Sequence, residues 1–215
     1  MILSVLVSLF VTLLLVANII SVKLVGVGSW AVPAGIIVYP LTFLLTDVIA
    51  ELYGRRIASR VVWTGFAVSI LMVVFVYLAR LLPSAVFWEG QAAFDATLGM
   101  VPRIVLASMF AYLISQHHDV MAFHFWRRKT GVRHLWLRNN ASTMVSQVID
   151  TALFISIAFW GILPVNIIFN MMLTQYLIKL GIAVLDTPFC YLLVGLLRGR
   201  VGKAGSDGEA LPEAG

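Results

Sequence analysis

Apolar residues run along this chain in blocks long enough to cross a bilayer, and short connections holding Gly, Pro or charge separate them. Six blocks stand out: roughly Ile2 to Val22, Pro33–Leu52, Val61–Leu82, Arg103–Trp126, Ala141–Ile162 and Ile167–Leu197. Each is near or above the ~20 residues that a helix rising ~1.5 Å per residue needs to cross ~30 Å of hydrocarbon. The pattern predicts an all-α membrane protein, with a single six-helix transmembrane domain over residues 1–200. Residues 201–215, rich in Gly, Ala and Glu, hold too little apolar surface to fold and are expected to form a disordered tail. The first block lacks a basic n-region and a small-residue cleavage site and is too long for an h-region, so it reads as a helix rather than a signal peptide.

Composition agrees with lipid as the solvent: 61% of residues are hydrophobic and 12% charged, where a soluble domain is about a quarter charged. The net charge of +5 is unevenly placed. Arg55, Arg56 and Arg60, then Arg127, Arg128, Lys129, Arg133 and Arg138, then Arg198, Arg200 and Lys203 occupy alternate connections and the tail. The opposite connections hold only Lys23, Arg80 and Arg103. The positive-inside rule therefore puts both termini in the cytoplasm and favours an even number of helices. These basic residues flank membrane segments, so no nucleic-acid partner is expected. Trp30, Trp63, Trp88, Trp126, Trp136 and Trp160 fall at or near block ends, where an amphipathic ring favours the headgroup region. The lone Cys190 excludes an intramolecular disulfide and a cysteine-built metal site.

The polar residues inside the blocks carry the functional information. In the second block Tyr39, Phe43, Asp47 and Glu51 recur every four residues and share a helix face. Ser108, Tyr112, Ser115, Gln116 and Asp119 follow helical spacing in the fourth, Thr143, Ser146, Gln147 and Asp150 in the fifth, and Gln175, Lys179 and Asp186 in the sixth. The first adds a weaker stripe of Ser4, Ser8 and Asn18, while the middle of the third is nearly all apolar and reads as lipid-facing scaffold. Interhelical hydrogen bonds contribute about 0.6 kcal/mol on average, enough to explain Ser and Thr as glue. An ionisable group at mid-depth costs roughly 2.5–3.5 kcal/mol on insertion scales, which such glue does not recover. Asp47, Asp119, Asp150 and Asp186 thus point to a polar site between helices. Lys179 is the one deep cation, seven residues from Asp186 on the same face, so a structural pair between those two is an alternative to a binding role. The excess of acid over base leaves proton coupling open.

His117, His118, Asp119 and His124 raise a metal site as an alternative, and with it an intramembrane metalloenzyme. Adjacent histidines point ~100° apart on a helix, and no His-Glu-x-x-His pattern or Gly-x-Ser-x-Gly elbow occurs. The expectation is therefore no metal, no cofactor and no enzyme activity.

The run Thr46-Asp47-Val48-Ile49-Ala50-Glu51-Leu52-Tyr53-Gly54, Ser115-Gln116 followed by Asp119, and Trp136-Leu137-Arg138-Asn139-Asn140-Ala141-Ser142-Thr143 recur in a known order with Ser146-Gln147, Asp150-Thr151, Lys179 and Asp186-Thr187-Pro188. This ordered set resembles the queuosine precursor transporters of the vitamin uptake transporter family, over about Val16 to Leu197. The resemblance implies uptake of 7-cyano-7-deazaguanine, and of 7-aminomethyl-7-deazaguanine, across a bacterial inner membrane. It also implies six helices arranged like the substrate-binding subunits of energy-coupling-factor transporters. His117-His118 departs from the family pattern.

A guanine-like base presents N–H donors on one edge, which a carboxylate accepts, and a carbonyl on another, which an amide or guanidinium satisfies. Asp47, Asp119 and Asp150 are candidates for the first role; Gln116, Asn140, Gln147 and Arg138 for the second. Lys179 and Asp186 complete the polar set, and Tyr39, Phe43, Phe154, Tyr176 and Phe189 offer stacking surfaces. Asn139 or Asn140 could equally be an N-cap, and Arg138 an interfacial charge. Pro40 and Pro188 are expected to kink their helices. Two mechanisms fit: a self-contained permease with alternating access, or a substrate-capturing subunit that needs a separate energising module. A homodimer stays open.

Overall fold

The computed structural model describes residues 2–28, 30–130 and 135–206; the side chains at 27, 119–120, 123–130, 135–143, 183–187, 191 and 198–206 fall outside that description. Helix α1 (Ile2–Ile20) leads into a β-hairpin, β1 (Leu24–Val27) and β2 (Trp30–Pro33), and a 3₁₀ turn, Ala34–Ile37. Then follow α2 (Tyr39–Tyr53), α3 (Arg55–Leu81), α4 (Gln91–Leu98), α5 (Val101–Thr130), α6 (Leu135–Phe159) and α7 (Val165–Ser206). The expected tail from 201 overlaps the end of α7; beyond Ser206 it lies outside the described residues.

Among the described residues four helical stretches are long and apolar enough to cross a membrane: Ile2–Ile20, Arg55–Leu81, Gln91–His118 and Val165–Ile182. Met144–Phe159 and Pro188–Leu197 are shorter apolar helices. The second expected span is the one that changes most. Its helix starts at Tyr39 rather than Pro33 and has 15 residues, a length of about 22 Å at ~1.5 Å per residue. Ala34–Ile37 form a 3₁₀ turn instead, and the connection ahead of it folds as a hairpin, with Val25 opposite Val32 and Val27 opposite Trp30. β-Branched and aromatic side chains suit a pleated strand, and Gly28 at φ +64 supplies the left-handed residue that a tight reversal needs. Pro40 consequently sits in the first turn of α2, where its missing N–H would have had no intrahelical partner, so it starts the helix rather than kinking it. Pro188 does lie inside α7.

Apolar burial falls into two layers. At the end away from the hairpin, Leu6 and Phe10 of α1, Val48 and Ile49 of α2, and Val61, Val62 and Phe66 of α3 form one core, with Leu193, Val194 and Leu197 of α7 packed against it. At the hairpin end, Ile104 and Ala107 of α5, Ile155, Ala158 and Phe159 of α6, and Ile168 and Met171 of α7 form the other, covered by Val22, Leu24 and Ala31. The opposite side of α3 leaves Ile70, Leu71, Val74, Phe75 and Leu78 exposed. In a lipid solvent such a face needs no protein cover, as the sequence led one to expect of this helix. Trp30, Trp63, Trp88 and Trp160 are likewise exposed.

Polar contacts close the hairpin end. Arg80 Nε donates to Asp95 Oδ1 at 2.7 Å, Gln91 Nε2 donates to Asp95 Oδ2 at 2.9 Å, and Ser84 Oγ donates to Gln91 Oε1 at 2.8 Å, which ties α4 to the end of α3. Arg103, at the start of α5, donates from Nε to the Ile157 carbonyl at 2.7 Å and from Nη2 to the Trp160 carbonyl at 2.5 Å. Carbonyls at a helix C-terminus have no intrahelical donor and carry partial negative charge, so a guanidinium suits them.

The 3₁₀ turn presses against the end of α1, and Gly35 is what allows it. A Cβ there would collide with Ser21 Oγ and lie 2.9 Å from the Ala17 carbonyl oxygen, and overpacking of this kind costs about 1–3 kcal/mol. Gly35→Ala should therefore lower the thermal unfolding midpoint of detergent-purified protein by several degrees. Gly26→Ala, in open space, should leave it in place.

Candidate functional site

A polar layer lies between the two apolar ones, and α7 shows the order most directly. Ile168 and Met171 belong to the hairpin-end core, Thr174, Gln175 and Lys179 come next, and Leu193, Val194 and Leu197 reach the other core. Gln175 and Lys179, four residues apart, share a helix face. On α6 the pairs Ser146/Asp150 and Gln147/Thr151 have the same spacing, and α5 contributes Ser115 and His118.

At the centre Lys179 Nζ donates to Asp150 Oδ2 at 2.7 Å, with the lysine side chain 3% and the aspartate side chain 12% exposed. Nζ also lies 4.7 Å from the centre of the Tyr39 ring, within the range of a cation–π contact. One ammonium thus joins α7 to both α6 and α2. Phe43, one turn after Tyr39, meets it edge to face at 4.8 Å between ring centres. The second carboxylate oxygen of Asp150 is less well served. Ser115 Oγ approaches Oδ1 at 3.5 Å but also lies 3.1 Å from the Tyr112 carbonyl oxygen. A hydroxyl has one proton to give, and the shorter contact takes it.

Three further polar atoms in the layer are buried without a hydrogen-bond partner among the described residues: Gln147 Oε1, Thr151 Oγ1 and Gln175 Oε1. Such atoms are uncommon in folded proteins because each forfeits its hydration, at a cost of about 1–3 kcal/mol. Chemically the layer offers carboxylate and amide acceptors, a hydroxyl and an aromatic pair, the inventory that binds a flat, polar heterocycle.

The expected site residues divide accordingly. Tyr39, Phe43, Asp150 and Lys179 come together, and Gln147 belongs to the same layer. Asp47 and Gln116 lie on exposed faces of α2 and α5. The side chains of Asp119, Asn140 and Asp186, and of Arg138, fall outside the described residues. Among the stacking candidates, Phe189 is exposed. The lysine pairs across helices with Asp150, so the spacing-based alternative of an Asp186 partner is not needed to place its charge. Thr151, Thr174 and Gln175 are buried members of the layer that the choice of binding residues left out. Gln175, one turn before Lys179 on the same stripe, was within reach of that reasoning.

The adjacent histidines separate as helical geometry requires. His117 is exposed, while His118 Nδ1 lies 3.1 Å from Ser146 Oγ. No group of three or more potential ligands could hold a metal among the described residues.

A family model described as "Putative vitamin uptake transporter" matches residues 33–193. That stretch takes in every residue of the polar layer. A protein of Bacillus subtilis (strain 168) named "Probable queuosine precursor transporter" is 36% identical over 177 residues, 81% of this chain and 77% of that protein. One of Escherichia coli (strain K12) named "Queuosine precursor transporter" is 35% identical over 122 residues, 57% of this chain and 52% of that protein. A third, from Haemophilus influenzae and named "Probable queuosine precursor transporter", is 27% identical over 146 residues, 66% of this chain and 60% of that protein. No solved structure matches the chain.

Removing one member of a buried ion pair leaves an uncompensated charge and costs about 3–5 kcal/mol, whereas an apolar replacement of both is often neutral. Asp150→Ala and Lys179→Ala should each lower the thermal unfolding midpoint clearly. The double variant Asp150→Leu with Lys179→Met should recover most of that loss, as read by thermal unfolding in detergent.

Proposed function

This chain belongs to the vitamin uptake transporter family, and we propose that it imports the queuosine precursors 7-cyano-7-deazaguanine and 7-aminomethyl-7-deazaguanine across a bacterial inner membrane. The named relatives are transporters rather than enzymes. The observation that carries the substrate reading is the buried Lys179–Asp150 pair, with polar atoms of α6 and α7 near it that have no hydrogen-bond partner among the described residues. A deazaguanine can satisfy that unmet demand. Its ring and exocyclic N–H groups would donate to Asp150 and to the amide oxygens of Gln147 and Gln175, and its flat face would pack on Tyr39 and Phe43. Asp119, Asn140 and Asp186 would complete the pocket, with Asp47 and Gln116 at its approach.

The same reading makes α1, α2, α3, α5, α6 and α7 the six spans, arranged as in energy-coupling-factor substrate-binding subunits, with α4 outside the hydrocarbon at the hairpin end. The basic connections Arg55 to Arg60 and Arg127 to Arg138 then face the cytoplasm with both termini. A spanning helix as short as α2 is workable where neighbouring protein, rather than lipid, receives its ends. Alternating access to a midplane site by the chain alone is the preferred mechanism. A second reading draws on Ser4 and Ser8, both exposed on α1 at a four-residue spacing that suits close helix docking by a separate energising module. Uptake by the purified chain alone in proteoliposomes separates the two.

The substrate assignment is tested in a bacterial strain that lacks both queuosine precursor synthesis and its own transporter, fed nanomolar 7-cyano-7-deazaguanine. The wild-type chain should restore queuosine in tRNA, and Asp150→Ala, inserted to the same level, should restore under a tenth as much. No restoration by well-inserted wild type removes the substrate assignment; full restoration by Asp150→Ala removes the central residue.

A further inference from the structure

We propose that Lys179 is an internal counter-ligand, which holds Asp150 while the pocket is empty and is displaced by the incoming base onto Tyr39, so that binding and release of the α6–α7 ion pair are one event. The inference rests on the substrate reading above and adds how the site responds to its ligand.

Geometry makes the exchange local. Lys179 Nζ already touches both stations, Asp150 Oδ2 at 2.7 Å and the Tyr39 ring centre at 4.7 Å. The ammonium can shift its weight from one to the other without crossing either apolar layer, which matters because a buried charge cannot be left without a partner. The carboxylate is also prepared for a second donor. Its Oδ1 has only the 3.5 Å approach of Ser115 among the described residues. A base that donates two parallel N–H bonds would use both oxygens and so compete directly with the lysine for Oδ2.

Gln147 Oε1, Thr151 Oγ1 and Gln175 Oε1 have no hydrogen-bond partner among the described residues while the lysine holds the carboxylate. The lysine therefore covers the charge of Asp150 but leaves the neighbouring dipoles for the ligand. The exchange changes which helices are joined. In the empty state α7 is tied to α6 by an ion pair; in the loaded state the same cation binds it to α2. A ligand moves a conformational equilibrium only through interactions that differ between its states, and this swap is such a difference.

The test is a double-mutant cycle on the full chain in detergent, with binding of 7-cyano-7-deazaguanine read by isothermal titration at pH 8 and folding by size exclusion. Tyr39→Leu removes the second station and should weaken binding about tenfold. Lys179→Gln removes the competitor and should tighten binding roughly threefold or more. Tyr39→Leu should cost clearly less in the Lys179→Gln background than in wild type, because Tyr39 then keeps its stacking on the base but has no cation left to receive. If wild type binds and Lys179→Gln is unchanged or weaker, or if Tyr39→Leu costs the same in both backgrounds, the exchange is overturned and the substrate reading stands. If folded wild type binds none of the base, the substrate reading falls and the exchange with it. Should Lys179→Gln not give monodisperse protein, Lys179→Arg decides. Its planar fork would hold both carboxylate oxygens and weaken binding about tenfold, and wild-type affinity there overturns the exchange.

Discussion

A charged pair buried between two apolar cores of a helical membrane protein constrains everything around it. Lys179 and Asp150 lie 29 residues apart in sequence, on different helices, and meet at 2.7 Å. With the pocket empty each charge relies on the other, so α6 and α7 keep one register in that state. Each apolar core then acts as a seal for this pair, one built from α1, α2 and α3, the other from α5, α6 and α7 under the hairpin. The seals bury the pair, and the same burial leaves neighbouring amide and hydroxyl atoms without hydrogen-bond partners among the described residues. Among the described residues the layer pairs its lysine with Asp150 and leaves amide and hydroxyl atoms unsatisfied, which suits a polar ligand.

Legibility in the sequence followed the range of the interaction. Helices α1, α3 and α7 announce themselves through runs of apolar residues, and the four-residue stripes put Asp150 and Lys179 on inward faces. Spacing is local information, however. It could offer Asp186 as a partner for Lys179 because the two are seven residues apart, and it had no means of matching Lys179 with a residue on α6. The hairpin was missed for a related reason. Residues 23–32 read only as a connection, because the pairing of Val25 with Val32 and of Val27 with Trp30 is made across the turn and Gly28 is a single-residue signal. α4, with eight residues and none buried, is likewise too short for a periodic pattern to stand out.

The charges that run against the orientation rule turn out to have particular work. Arg80 is held by Asp95, and Arg103 by the Ile157 and Trp160 carbonyls at the end of α6. Counted along the sequence, both weaken the asymmetry between the two sides. Held by partners, they are structural cations whose position answers to a helix end or a carboxylate. On the proposed topology the contrast between the two sides is then sharper than a count of basic residues makes it.

Helix α7 connects these parts. It supplies Ile168 and Met171 to the hairpin-end core, Lys179 to the polar layer, and Leu193, Val194 and Leu197 to the surface of the other core. A change in the lysine's partner is therefore felt by a helix that touches both seals. Pro188 lies on α7 between the lysine and the far core, and a proline inside a helix removes the hydrogen bond to the fourth residue before it. The missing bond divides α7 into a half that carries the charge and a half that closes the far end. In the proposed alternating access, opening one seal while the other stays shut would have these halves move unequally, and the proline puts one missing backbone hydrogen bond between them.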